Sequence, residues 1–165
     1  MDDRELVALQ IGRTPRAFRR VAVRCPWGLP AVTEQDPYGE DGAPFPTTYY
    51  LTCRHLVAAV ARLEAAGGVE RWTAAVAADP ELRASVDQAS ELSRTVRRQL
   101  AGDRRGEDGG ASLVLGIGGT RRPERLKCLH AHVAFALAHP GYELGERVLA
   151  EVPGRWPADR CCSDV

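Results

Sequence analysis

The chain has 165 residues, 44% of them hydrophobic, with 22 basic and 22 acidic side chains and a formal net charge of zero. That length suits one domain that buries a core without disulfides, and the hydrophobic share excludes a wholly disordered chain. The charge balance calls for neither nucleic acid nor anionic lipid as a partner, and no window approaches the ~20 apolar residues of a membrane span.

Met1-Asp2-Asp3-Arg4-Glu5 is charged and lacks the apolar run of a signal peptide, so the expected location is the cytoplasm. Lys127 is the only lysine, and with so much alanine, glycine and proline the bias points to a GC-rich bacterial genome. Five cysteines in a reducing compartment read as thiols, metal ligands or redox groups before disulfides.

In chain order, 2–11 reads as a short helix stopped by Gly12. Phe18 to Arg24 alternates like a strand. Cys25-Pro26-Trp27-Gly28 is a turn, and Pro30-Ala31-Val32-Thr33 resumes the pairing, so 18–34 is expected to be a hairpin. Residues 35–46 have a loop composition rich in proline and glycine, and their acids Asp36, Glu40 and Asp41 have no evident partner. Thr47-Thr48-Tyr49-Tyr50-Leu51 is β-branched and aromatic, a third strand.

Thr52 is placed as the N-cap of a helix carrying Leu56, Val57, Val60 and Leu63 and ending at Gly67-Gly68. A helix with Val69, Trp72 and Val76 follows, and Asp79-Pro80-Glu81 opens a longer one to about Leu100. Its apolar stripe is read as Leu82, Val86, Ala89, Leu92, Val96 and Leu100, while Arg94, Arg97 and Arg98, with Arg104 and Arg105 beyond it, are read as a solvated basic face. A mobile loop over 102–112, an apolar-to-glycine stretch at 113–119, a helix from Pro123 to His139 and a last helix from Tyr142 to Val152 complete the chain. The expected class is α+β: a small antiparallel sheet, hairpin plus third strand, covered by several helices. Residues 1–152 would form one globular domain, and 153–165 a loosely ordered tail.

Three cysteines fall where a site is easily built: Cys25 at the hairpin turn, Cys53 in the first turn of a helix, and Cys128 early in the helix from Pro123. Cys128 and His132 are i and i+4, so a regular helix puts both on one face, and with Cys25 and Cys53 they make a Cys3His set suited to zinc, or less readily to an iron–sulfur cluster. His130 is the competing imidazole, as a ligand in a distorted turn or as an acid and base beside a nucleophilic Cys128. No CxxC pair is present, and buried cysteine is common as a small hydrophobe. Surface or capping roles suit His55 and His139, and Cys161-Cys162 is an adjacent pair in the tail, read as incidental before extra ligands. Gly116, Gly118 and Gly119, with Arg121 and Arg122 nearby, form a weak anion-loop candidate that matches neither the P-loop nor the dinucleotide fingerprint.

The segments Cys25-Pro26-Trp27-Gly28-Leu29-Pro30-Ala31-Val32, Pro44-Phe45-Pro46-Thr47-Thr48-Tyr49-Tyr50-Leu51-Thr52-Cys53, Gly116-Ile117-Gly118-Gly119 and Lys127-Cys128-Leu129-His130 resemble, in this order, the bacterial domain-of-unknown-function family numbered 501. The resemblance spans roughly residues 5–150. It implies a pattern containing Cys25, Cys128 and His130, with cysteine or histidine at position 53, which favours metal binding and His130 over His132. It implies no activity. Gene neighbours of the family, a septum-formation initiator and an exopolyphosphatase-type enzyme, suggest division or phosphate metabolism by association only. The expected function is a metal-binding module of structural or binding role. The alternatives are a hydrolase-type enzyme using the metal or a Cys128/His130 pair, and a metal-free interaction protein of the division machinery.

Overall fold

A computed structural model describes residues 1–157. α1 (Asp3–Ile11) starts from Asp2, whose carboxylate accepts from Glu5 N–H while Glu5 reaches back to Asp2 N–H, and stops at left-handed Gly12. β1 (Phe18–Arg24), β2 (Pro30–Gln35) and β3 (Tyr49–Leu51) form an antiparallel sheet in that order. The expected hairpin and third strand are therefore present, and the class is α+β. β2 is buried along its whole length because it is the central strand and both faces are covered.

α2 (Arg54–Ala65), α3 (Gly68–Ala78) and α4 (Pro80–Ala101) follow, α4 opening with Asp79 accepting from Glu81 and Leu82 N–H. The segment 102–112, expected to be mobile, is instead tied down: Tyr38 Oη donates to Asp108 Oδ1 at 2.9 Å and Ser112 N–H donates to Oδ2 at 2.8 Å. Two 3-10 turns, Ala111–Val114 and Ile117–Gly119, lead to α5 (Leu129–Ala138) and α6 (Glu143–Ala150).

α5 is the central helix. Seven of its ten residues are buried, among them Leu129, Val133 and Phe135, as a segment apolar but for His130 and His132 requires. It lies on β3 and against α2 and α6. A Cβ at Gly145 would meet Ala136 Cβ at 2.3 Å and His132 O at 2.5 Å, so only glycine allows α6 this close.

Three expectations shift. The helix expected from Pro123 begins at Leu129, because Thr120 Oγ1 donates toward Arg122 O and Arg125 O (2.8 and 3.2 Å) and holds 120–125 in a turn. The N-cap of α2 is Cys53 rather than Thr52. In α4 the buried face turns away from Leu92, which is 42% exposed, and its second half buries Ser90, Ser93, Arg97 and Ala101. At the far end Gly154 O lies 3.0 Å from His55 Nε2 and Trp156 packs against the core. Cys161 and Cys162 lie outside the described residues.

Candidate functional site

Cys25 and Cys53 enter one apolar cluster and are both buried. Their backbones flank the same stretch at the start of β2: Cys25 N–H donates to Leu29 O at 2.9 Å, and Cys53 N–H reaches Ala31 O at 3.4 Å. The hairpin tip and the entry to α2 thus meet at one end of the sheet. Cys128 is partly buried against the same cluster. It is the N-cap of α5, with extended backbone (φ −154°, ψ 158°). The next residue, Leu129, donates its N–H to Glu64 Oε1 at 2.6 Å, near the C-terminal end of α2. Cys53 stands at the opposite end of that helix, roughly 16 Å of axial rise away.

The two histidines diverge. His130 faces α2, with Nδ1 3.1 Å from Glu64 Oε1 and Nε2 3.1 Å from Val57 O. Both ring nitrogens are thus turned to acceptors on α2. His132 faces α6 and is buried, its Nδ1 2.7 Å from Tyr142 Oη. The i,i+4 pairing with Cys128 does not arise, because Cys128 is not in the helix. Among the described residues, no group of three or more histidines, cysteines, aspartates or glutamates is gathered as a metal site.

Burial pushes the Cys128 thiol up, and the N–H groups of Ala131 and His130 at the helix start only partly oppose it. Cys128 is therefore expected to alkylate with iodoacetamide at pH 7 more slowly than free cysteine, read by mass spectrometry. Faster modification would restore the nucleophile reading.

The glycine loop joins elements together. Gly116 N–H donates to Thr120 O (2.8 Å) and Gly119 N–H to Gly116 O (3.0 Å), so two of its donors are already used within the loop. A Cβ at Gly119, with φ +74°, would lie 2.8 Å from Pro46 Cβ. Absence of side chains lets the Pro44–Thr48 segment close over it.

Beneath that contact lies Arg97, with 0% exposure rather than on a solvated face. Nε donates to Ser112 O at 3.3 Å, and Nη1 to Phe45 O at 3.0 Å and to Thr48 Oγ1 at 3.3 Å. Nη2 has no partner among the described residues. The guanidinium thus ties α4 to the 45–48 and 112 segments, and burial lowers its pKa. Asp108 is held down to about 2: burial raises it, but hydrogen bonds from Ser112, Tyr38 and Gly110 outweigh that.

A second polar line crosses the sheet. Glu34, 4% exposed, accepts Arg20 Nε and Nη2 at 2.9 and 2.8 Å. Tyr49 Oη lies 3.5 Å from Glu34 Oε2, and His139 Nε2 lies 2.9 Å from Tyr49 Oη. Burial, then the Glu34 charge, pushes Tyr49 up to about 12, so it stays a phenol at neutral pH.

Residues 21–150 match the sequence pattern of the family described as a protein of unknown function, DUF501. The chain belongs to DUF501. No curated protein and no solved structure matches it. The DUF501 segment contains Cys25, Cys53, Cys128, Arg97 and the whole Glu34–Tyr49–His139 line, and it stops short of Cys161 and Cys162. No helix among the described residues is long and apolar enough to cross a membrane.

Sequence reasoning missed Arg97 and His139 in this DUF501 chain. Arg97 was legible in principle: Leu82, Val86, Ser90, Ser93 and Arg97 follow a 4-4-3-4 spacing, one helical face with polar residues at its end. His139 was not, because its partners lie 90 and 105 positions back in the chain.

Proposed function

We propose that this DUF501 protein is a binding module whose hairpin tip and α2 entrance are fastened by a zinc ion held in part by Cys25 and Cys53. The observation that carries the reading is that cysteines 28 positions apart bond through their backbones to Leu29 and Ala31, at the start of β2. A closed tetrahedral zinc site leaves no open position, which fits a scaffold better than a hydrolase. Cys128, His130 and His132 drop out of the ligand set: the first stands at the far end of α2, and the histidines are held by Glu64 and Val57 and by Tyr142.

Elemental analysis of full-length protein purified without added metal tests this. About one zinc per chain is expected, lost in Cys25→Ser and in Cys53→Ser and kept in Cys128→Ala. Circular dichroism checks that each variant folds. A zinc-free wild type, or zinc that depends on Cys128 but not on Cys53, overturns the reading.

A further inference from the structure

Between α4 and the end of α5 lies a cleft of about 200 Å³, remote from the thiols. Ser85, Gln88 and Leu92 line it from α4, and Phe135, His139 and Tyr142 from the other side. That volume falls below the ~300–1,000 Å³ of clefts that take drug-sized ligands, so it fits a single small ring system. No aspartate, glutamate, lysine or arginine lines it. A charged guest would lose its hydration there without a counter-charge.

The wall is aromatic and rigid. His139 stacks on Phe135 with ring centroids 4.8 Å apart, and Tyr142 meets Phe135 edge-on at 5.5 Å. The line from Glu34 fixes the imidazole. Tyr49 Oη, turned toward the Glu34 carboxylate, leaves its oxygen to accept from His139 Nε2–H, so Nδ1 carries the lone pair. Among the described residues Nδ1 has no hydrogen-bond partner. Burial lowers the pKa of His139, which keeps the ring neutral and Nδ1 an acceptor at pH 7. Gln88 lines the opposite side and carries an amide, with donor and acceptor next to each other.

We propose that this cleft binds a neutral planar heterocycle of the nucleobase class, its N–H donating to His139 Nδ1 and its neighbouring donor and acceptor paired with Gln88. A flat ring of this class presents N–H donors and carbonyl or ring-nitrogen acceptors at its edge and satisfies all three features at once: aromatic wall, lone acceptor, amide on the other side. Aliphatic guests would leave Nδ1 and Gln88 unpaired, and anions or cations would meet no opposite charge.

Titration of uniformly 15N-labelled protein with adenine and with uracil, followed by amide chemical shifts, tests the proposal. Saturable shifts are expected at Gln88, Leu92 and Gly141 for at least one base. His139→Phe, which keeps a ring on Phe135 but removes the acceptor, should weaken binding about tenfold, the equivalent of one hydrogen bond. Gln88→Ala, on an exposed helix position, should weaken it comparably without touching the fold. Absence of saturable shifts for both bases up to their solubility overturns the proposal. So does unchanged affinity in both variants, or an equal response to acetate or methylamine.

Discussion

Replacing Arg97 with alanine is expected to lower the unfolding free energy by about 3–5 kcal/mol. The side chain has no exposed surface, and it satisfies Phe45 O, Thr48 Oγ1 and Ser112 O. Its removal creates a cavity and leaves those acceptors buried without a donor. Arg97→Met separates the two costs. Methionine refills most of the volume and removes a charge that is itself expensive to bury, so a loss of about 1–3 kcal/mol is expected. Arg97→Lys should be worse than methionine, since one ammonium cannot reach segments that the planar guanidinium bridges. Urea unfolding of the three variants checks the order. A change within about 1 kcal/mol for alanine would mean that the 45–48 and 112 segments do not depend on this cation.

Acidification is expected to destabilise the protein through His132. This imidazole is buried and its pKa is lowered to about 4 by burial, against ~6.5 for an exposed histidine. Between these values the unfolded chain binds a proton that the folded chain does not. The stability held by the neutral ring is therefore fully present above pH ~6.5 and is lost as pH falls toward 4, amounting to about 3 kcal/mol. His132→Gln keeps a polar partner for the Tyr142 hydroxyl and removes the titration. Its unfolding free energy should fall about 2–3 kcal/mol less than that of the wild type between pH 7 and pH 4. Parallel curves for the two proteins would place the acid sensitivity in other groups.

By itself the sequence determined what local rules govern. Alternation placed β1 and β2, Cys25-Pro26-Trp27-Gly28 made the turn between them, Gly12 ended α1, and Asp79-Pro80 opened α4. It also carried the family in its four motifs. Each of these depends on neighbours a few positions apart, where backbone geometry and capping dominate. Periodicity misled where burial and polarity part company. The α4 stripe was drawn through Leu92 because it is apolar, yet Leu92 is exposed and Arg97 is buried. A buried arginine is tolerable only where carbonyls from other segments wait for it, and the sequence does not say where they are.

Tertiary structure alone decided which chemistry-bearing side chains meet. Cys25 and Cys53 come to one end of the sheet because β2 runs between their segments. Cys128 opens α5, whose first residue is anchored on Glu64 near the end of α2. Tyr49 and Glu34 reach His139 only because α5 crosses β3. Such meetings are set by how elements pack over distances of tens of residues, and the cost of closing those loops is met by the whole core rather than by any local signal.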